Sequence, residues 1–360
     1  MVSFMLKNRR SRLKQFFEKY SLKAILFTDL RNIRYLCGFS GTEGALLVSR
    51  DVVWFLCDSR YTAQAAEEVQ DAVIKECGAV RIETVAALVQ EYGLDRIGFE
   101  AAHTTVSAFR RMSELLAGAE LIELGSSLDE IRTRKDHTEV ELLAQVAALS
   151  SRAFVAVLDT IRPGVREVDI AMALELEMRR NGADGKAFDF IVASGERGAM
   201  PHGRASNKVV LSGELVTIDF GALKDGYHSD ETVTVACGKP GIRESEIHSI
   251  VRMAHDCAIE AVRPGVSCKD LDEVARRFIR DKGYGEYFGH GLGHGIGLDI
   301  HEMPTLSPRS TAVLEEGMTI TIEPGIYIPG FGGVRIEDTV VVTGTGCHVL
   351  TSVDKRLLVL

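Results

Sequence analysis

The feature that most constrains this chain is an internal repeat in its second half. Arg162–Val165 reads Arg-Pro-Gly-Val, and the same four residues return at Arg263–Val266, 101 positions later. Gly182 recurs as Gly283 at the same spacing. Each copy predicts a helix, a break at Pro-Gly, and a second helix that ends at a glycine. The chain from about residue 140 therefore contains two related halves.

The repeat continues into two predicted β-hairpins. Thr217–Gly221 corresponds to Thr321–Gly325 with an offset of 104 residues, and Ser229–Val233 corresponds to Ile336–Val340. The first segment of each half places an acid, Asp219 or Glu323, in an apolar strand, which is the pattern of strands that pack in a core. We expect the two halves to pack around a pseudo-two-fold axis, with a shared sheet covered by helices.

Each predicted hairpin carries an acid on both arms. Asp219 and Asp230 lie on the two arms that an Asp-Gly turn joins, and we expect them to face each other across the strands, about 4.5–5.5 Å apart. Glu323 and Glu337 repeat this arrangement. Four solvated surface acids would be the simpler interpretation, but apolar residues flank Asp219 and Glu323. Because buried acids repel each other, they require cations, and the set predicts a metal centre.

A glycine-rich segment with histidines follows the second helix pair. Phe288–Gly297 contains five glycines in ten residues together with His290 and His294, and His301 comes shortly after. Glycine allows the backbone to come close to a site in conformations that other residues avoid. This cluster predicts one histidine ligand and two polar helpers.

Together these motifs resemble the pita-bread metallopeptidases, the family of methionine aminopeptidase, aminopeptidase P and prolidase. The segments Arg31–Thr42 and Asp58–Tyr61 resemble the creatinase-type N-terminal domain, which accompanies the proline-specific members. The resemblance implies an α/β protein with a creatinase-type N-terminal domain and a C-terminal pita-bread (pseudo-two-fold α+β) catalytic domain. We predict the N-terminal α/β domain at residues 1–127, a linker at 128–137 and the catalytic domain at 138–360.

The resemblance also implies the roles of individual residues. The predicted ligands of two divalent metal ions are Asp219, Asp230, His294, Glu323 and Glu337. Glu323 is also our candidate to accept the proton of the attacking water. The histidines that match substrate-binding and proton-transfer positions are His202, His290 and His301. The supporting candidates are Arg335, Tyr327 and Arg309. Since His294 has no counterpart in the first half, we expect two unequal metal sites.

The implied activity is hydrolysis of an N-terminal Xaa-Pro bond by a metal-bridging hydroxide. A dipeptidase must recognise a free carboxylate, which favours a cation near the scissile bond. Some dipeptidases have arginine directly after the His-Glu-x-Pro motif, whereas this chain has Thr305 there and Arg309 four residues later. The Gly38–Leu47 pattern also resembles the aminopeptidases. We therefore favour an Xaa-Pro aminopeptidase, with an Xaa-Pro dipeptidase (prolidase) as the alternative.

Two further alternatives are creatinase-like C–N hydrolysis without metals and a non-catalytic pita-bread binding module. The complete set of predicted ligands argues against both. Ligation by oxygen with one imidazole favours Mn²⁺ or Co²⁺, while Fe²⁺ or Zn²⁺ would also fit.

Composition bounds the remaining possibilities. The net charge of −9 argues against nucleic acid or an anionic membrane as a partner. No segment is expected to reach the ~18 apolar residues that span a bilayer. Seven cysteines without CxxC spacing predict reduced thiols in a cytoplasmic protein. The expected partners are peptides with proline at the second position, and the resemblance implies a homodimer.

Overall fold

The computed structural model describes residues 2–78 and 80–360, with side chains for all of these except residues 2–4, 126 and 127. It divides into two compact units, Met1–Arg132 and Thr133–Leu360. The division lies within the stretch predicted as a linker. Part of this stretch is ordered, because Gly125–Arg132 forms a 3₁₀ turn in which Leu128 and Ile131 are buried.

The first unit is built on a six-stranded sheet with helices. Its strands are β1 (Ala24–Phe27), β2 (Ala45–Ser49), β3 (Val53–Cys57), β4 (Val73–Glu76), β5 (Arg96–Phe99) and β6 (Glu120–Glu123). Its helices are α1 (Val2–Ser11), α2 (Lys14–Lys19), α3 (Leu30–Cys37), α4 (Thr62–Glu68), α5 (Arg81–Glu91) and α6 (Val106–Leu115). The spatial order is β4-β3-β2-β1-β5-β6, and β2 runs antiparallel to both of its neighbours.

The apolar runs of the sequence form the centre of this sheet. The apolar runs Ala45–Val48, Val52–Cys57 and Arg96–Phe99 predict strands, and they form β2, β3 and β5. The buried residues of these strands and of β1 form one core with α5 and α6. Trp54, which the second of these runs predicts to be a core residue, is 1% exposed. The edge strands β4 and β6 were not predicted, because partly exposed edge strands lack a continuous apolar run.

The second unit contains two helix pairs and several small sheets. Its helices are α7 (His137–Val157), α8 (Glu167–Arg180), α9 (Ile242–Ala261) and α10 (Cys268–Asp281). The strands of its first half are β7 (Gly185–Lys186), β8 (Ile191–Ser194), β9 (Glu214–Phe220), β10 (Ala222–Lys224), β11 (Tyr227–His228) and β12 (Glu231–Cys237). Those of its second half are β13 (Gly293–Gly295), β14 (Glu302–Leu306), β15 (Thr319–Ile322), β16 (Gly325–Ile328), β17 (Gly332–Arg335), β18 (Asp338–Val342) and β19 (Cys347–Val349).

The backbone of this unit confirms the repeat. The N–H of Gly164 donates to Val210 O at 2.9 Å, and the N–H of Gly265 donates to Leu314 O at the same distance. These two glycines have φ angles of +93° and +88°, a region in which side chains are strained. The repeated Arg-Pro-Gly-Val motif therefore makes the same turn and the same contact in both halves.

The expected shared sheet consists of two hydrogen-bonded sheets that meet at one edge. Their strand orders are β12-β9-β8 and β14-β13-β15-β18-β19. Where β12 meets β18, the N–H of Glu337 donates to Thr232 O at 3.0 Å, and Thr339 Oγ1 donates to Asp230 O at 2.8 Å. These bonds join the two halves at the point where the predicted acids lie.

One helical segment meets the length and composition criteria for a membrane span, contrary to expectation. It covers His137–Thr160, and its most apolar 18-residue stretch has a mean hydropathy of 1.5. Half of that stretch is buried inside the protein. Leu143, Val146 and Phe154 of this helix are core residues. A helix in a protein core meets the same criteria, so this is weak evidence for a membrane span.

Candidate active site

A cavity of about 630 Å³ in the second unit brings the predicted site residues together. It is lined by the five predicted metal ligands and by His202, His290, His301 and Arg335. Tyr327 is buried next to Arg335. Arg309 is exposed and is not among the cavity-lining residues, so the structure does not support its predicted role near the substrate. Arg204, which the sequence analysis did not select, lines the cavity.

The predicted register of the first acid pair is wrong by two residues. Asp219 on β9 faces Thr232 on β12, and Asp230 lies just before β12 begins. The two acids still share one face, because a shift of two residues preserves the side of a strand. The hairpin keeps one register from the Leu223–His228 pair to the Phe220–Glu231 pair, so Asp230 lies opposite Gly221, where an added Cβ would lie 1.9 Å from Ser229 O. The acids are therefore diagonal neighbours.

The second acid pair has the predicted arrangement. The pairing of β15 with β18 and of β16 with β17 keeps one register on both sides of Glu323 and Glu337. Continuing that register places these two acids opposite each other. Glu337 Oε2 accepts a hydrogen bond from Thr232 Oγ1 at 2.6 Å, which links the second pair to the first half.

His294 presents one ring nitrogen to the carboxylates. Its Nε2 lies 3.6 Å from Asp230 Oδ2 and 3.5 Å from Glu323 Oε1, and its Nδ1 lies 3.0 Å from Gly295 O. A proton on Nδ1 donated to that carbonyl leaves the Nε2 lone pair free to bind a metal ion. Burial lowers the pKa of His294 to about 4, which keeps the imidazole neutral near pH 7. Asp230, His294 and Glu337 offer ligand atoms within 4.8 Å of one another.

The carboxylate cluster lacks sufficient positive charge from the protein itself. Burial and repulsion from neighbouring acids raise the pKa values of Asp230 and Glu337 well above their usual range. Burial raises the pKa of Glu323 to about 8, although the charge of Arg335 opposes this shift. Within the described part of the chain, Asp219 Oδ1 and Glu337 Oε1 are buried without a hydrogen-bond partner. Divalent cations would supply both the charge and the missing partners, so the donor set fits a metal centre.

A chain of hydrogen bonds runs behind the acids. Arg335 donates to Asp219 Oδ2 at 2.6 Å and to the Tyr327 hydroxyl at 2.9 Å. The same hydroxyl lies 2.9 Å from His290 Nε2. All four groups are thus held in fixed positions, and the Arg335 guanidinium is fully engaged by the protein.

His301 and His202 lie at the open part of the cavity. Both side chains are exposed, and the His301 ring centroid is 4.4 Å from that of His294. Burial of part of the ring, opposed by the charge of Asp219, lowers the pKa of His301. These imidazoles can contact a substrate without first breaking a buried hydrogen bond.

The glycine run around His294 is explained by close backbone contacts. An added Cβ would lie 2.0 Å from Thr321 O at Gly293 and 2.2 Å from Met303 O at Gly295. At Gly291 it would lie 2.6 Å from Leu306 O. These glycines let β13 fit between β14 and β15, which sets the position of His294.

Alanine at Gly293 is expected to destabilise the protein by about 1–3 kcal/mol, because the extra methyl group overpacks a rigid backbone contact. Gly289 is the matched control, since its added Cβ meets nothing within 4 Å. Thermal unfolding of Gly293→Ala and Gly289→Ala measures the difference. Equal unfolding temperatures for the two variants would contradict this explanation of the glycine run.

The structure also reveals buried residues that the sequence analysis did not select. Glu231 and Asp338 follow two predicted ligands directly, and both contact Lys355. His255, for which no role was predicted, has its Nε2 3.2 Å from Asp338 Oδ2. The sequence does contain a signal for this second cluster, because an acid directly follows a predicted ligand both in Asp230-Glu231 and in Glu337-Asp338.

Comparison with known proteins agrees with this site. Residues 141–344 match the sequence profile of Metallopeptidase family M24, and residues 9–134 match the Creatinase/Prolidase N-terminal domain. An Xaa-Pro dipeptidase of Pyrococcus furiosus is 37% identical over 98% of this chain and 100% of its own length.

Two solved structures extend the similarity to the fold. An Xaa-Pro dipeptidase from Bacillus anthracis has 42% identity and a TM-score of 0.96, covering 99% of this chain and 100% of its own. An X-Pro aminopeptidase from Thermotoga maritima has 40% identity and a TM-score of 0.90, covering 95% and 99%.

A buried carboxylate and imidazole cluster on a pseudo-two-fold fold thus defines a metal-dependent peptidase. The chain belongs to metallopeptidase family M24, with a creatinase-type N-terminal domain and a pita-bread catalytic domain. Divalent metal ions are implied by this family membership and by the donor set described above.

Proposed function

We propose that the protein is an Xaa-Pro dipeptidase. The observation that carries the proposal is the similarity over nearly the full length to Xaa-Pro dipeptidases, including the Bacillus anthracis structure at a TM-score of 0.96. This replaces the aminopeptidase that the sequence analysis favoured. The Thermotoga maritima relative keeps the aminopeptidase as the competing function.

The cavity offers a cation for the carboxylate of a dipeptide. Two arginines line it, and Arg335 is engaged by Asp219 and Tyr327. The side chain of the other, Arg204, is 76% exposed and lies 3.1 Å from Asp189. Asp189 is shared with Lys186 at 2.8 Å, which leaves the Arg204 charge incompletely neutralised. We assign Arg204 to the substrate carboxylate, the role for which Arg309 had been considered.

The site residues have different roles in the proposed hydrolysis. The five predicted ligands would hold two divalent ions, for which Mn²⁺ or Co²⁺ best suits the oxygen-rich set. Bound ions of this kind lower the pKa of water and polarise the scissile carbonyl. Glu323 accepts the proton of the water as its oxygen forms a bond to the carbonyl carbon. His301 or His202 stabilises the tetrahedral intermediate or donates a proton to the leaving imino nitrogen as the C–N bond breaks.

We also propose that the enzyme is located in the cytoplasm. All seven cysteines are free thiols, which supports a reducing, cytoplasmic compartment.

Kinetics with Ala-Pro, Ala-Pro-amide and Ala-Pro-Ala test both the dipeptidase activity and the role of Arg204. We expect kcat/KM to be highest for Ala-Pro. Arg204→Ala should lower this value by roughly 10–100-fold through KM, since a charge-assisted hydrogen bond contributes about 1.5–3 kcal/mol. The same variant should leave turnover of the uncharged amide within about twofold, and Arg309→Ala is the control arginine.

The outcomes separate the two claims. Wild-type preference for Ala-Pro-Ala over Ala-Pro would overturn the dipeptidase and favour the aminopeptidase. A preference for Ala-Pro that survives in Arg204→Ala would overturn only the assignment of Arg204. Full-length protein that binds fewer than two metal ions and cleaves none of the three peptides would favour a non-catalytic binding module.

A further inference from the structure

A second cluster of charged residues lies on the far side of the acid-bearing strands. Glu231 directly follows Asp230, and Asp338 directly follows Glu337. Because successive side chains of a strand point to opposite faces, Glu231 and Asp338 point away from the cavity. Their side chains are 0% and 10% exposed. By the repeat, these two acids occupy corresponding positions in the two halves.

One ammonium group bonds both acids. Lys355 Nζ lies 2.6 Å from Glu231 Oε1 and 3.2 Å from Asp338 Oδ1, and the lysine side chain is only 9% exposed. Glu231 is on β12 and Asp338 is on β18, which belong to different sheets. Lys355 therefore joins the two halves directly behind the predicted metal ligands.

The remaining contacts of Glu231 hold it firmly. Ser151 Oγ donates to Glu231 Oε2 at 2.5 Å, and the N–H of Val353 donates to Oε1 at 3.0 Å. Both oxygens of this buried carboxylate are thus bonded within the protein.

Asp338 is held in the same way. Thr351 Oγ1 donates to Asp338 Oδ1 at 2.5 Å, and His255 Nε2 lies 3.2 Å from Oδ2. These contacts give both carboxylates a defined geometry, whereas Asp219 Oδ1 and Glu337 Oε1 in the cavity have no hydrogen-bond partner among the described residues.

We infer that Lys355 is a positioning residue for the metal centre. By holding Glu231 and Asp338 on one ammonium, it sets the separation of β12 and β18 and thereby the separation of Asp230 and Glu337. Metal ligands depend on such outer contacts, and losing them typically weakens metal binding 10–100-fold. Lys355 thus adds a buried ionic link to the hydrogen bonds through which Glu337 and Thr339 already join the two halves.

Calorimetric titration of the metal-free full-length protein with Mn²⁺ tests the inference. Lys355→Met is expected to bind Mn²⁺ roughly 10–100-fold more weakly than wild type, and Lys355→Arg should recover most of the affinity. Arg356→Met is the matched control, because Arg356 is the next residue and pairs with Asp354 at the surface. It should bind Mn²⁺ like wild type.

A purely structural role predicts a different pattern. Leu174→Ala removes a buried side chain of α8 that does not line the cavity, and it lowers the unfolding temperature by leaving a cavity in the core. We expect it to retain wild-type Mn²⁺ affinity below its unfolding temperature. Wild-type affinity in Lys355→Met, or an equal loss in Leu174→Ala, would overturn the inference.

Glu231→Gln tests the same arrangement if Lys355→Met does not fold. This variant keeps the side-chain shape and the Lys355–Asp338 contact but removes one charge. A several-fold loss of Mn²⁺ affinity is expected, and unchanged affinity would count against the role of Lys355. Failure of the wild-type protein to bind Mn²⁺ would instead contradict the assignment of Asp230 and Glu337 as ligands, on which this inference rests.

Discussion

Glutamine in place of Glu323 is expected to lower kcat by roughly 10²–10⁴-fold, the usual contribution of a positioned proton acceptor. Glutamine has nearly the same size, so the packing next to His294 and Thr321 is retained. It cannot accept a proton at pH 7, because an amide is not basic. Steady-state turnover of Ala-Pro with saturating Mn²⁺ measures the effect.

Metal binding must be measured in the same variant, because Glu323 is also a predicted ligand. Titration with Mn²⁺ separates a loss of the ion from a loss of the proton acceptor. Glu316→Gln is the control, since Glu316 is exposed and does not line the cavity. A Glu323→Gln enzyme with full Mn²⁺ occupancy and kcat within tenfold of wild type would assign the proton acceptor to another residue.

The second large effect is expected at the buried pair Lys135–Glu302. Their charged groups lie 2.9 Å apart, and the two side chains are 1% and 3% exposed. Lys135→Met leaves the Glu302 carboxylate buried without its cation, which costs about 3–5 kcal/mol. In a unit of this size that corresponds to a decrease in Tm of roughly 6–20 °C. Differential scanning calorimetry of the metal-free protein measures it.

An exposed ion pair in the same unit provides the comparison. Arg166 and Asp169 lie 2.6 Å apart, but their side chains are 49% and 41% exposed. Arg166→Met should therefore leave the unfolding temperature close to that of the wild-type protein. If Lys135→Met and Arg166→Met unfold at the same temperature, burial does not determine how much these ion pairs contribute to stability.

Glu302 also connects this pair to the site. Its Oε1 accepts a hydrogen bond from the N–H of Asp299 at 3.2 Å, and it directly follows His301. Glu302, which does not line the cavity, thus helps to fix the loop that presents His301. Lys135 belongs to the stretch predicted as a linker, yet its side chain is buried. Its partner Glu302 lies 167 positions away along the chain, so no local pattern predicts this pair.

Much of the catalytic domain could be predicted from local patterns. The Arg-Pro-Gly-Val repeat predicted two equivalent helix pairs, and the backbone contacts of Gly164 and Gly265 are indeed the same. The acids on apolar strands predicted the carboxylate cluster, because periodicity of two specifies which side chains share a face. In the N-terminal unit the central strands were predicted, whereas the edge strands carry too little apolar signal.

The cation proposed for the substrate carboxylate could not be predicted from local sequence patterns. Arg309 was considered because it lies four residues after Thr305, but it does not line the cavity. Arg204 does, although it lies about a hundred positions earlier. Proximity along the chain does not predict which side of a cavity a loop reaches.

The repeat and the acids on its apolar strands specify the fold of the catalytic domain and the residues of its carboxylate cluster. No tertiary information is needed for this, because both patterns depend on local periodicity. The two-residue offset of Asp219 and Asp230 is local as well, because one register runs from the turn at Asp225-Gly226 through the pairing of β9 with β12. Tertiary structure alone decides that Arg204 rather than Arg309 lines the cavity. It also decides that Lys355 meets Glu231 and Asp338. These contacts join segments more than a hundred residues apart in one case, and nothing in either segment encodes the other.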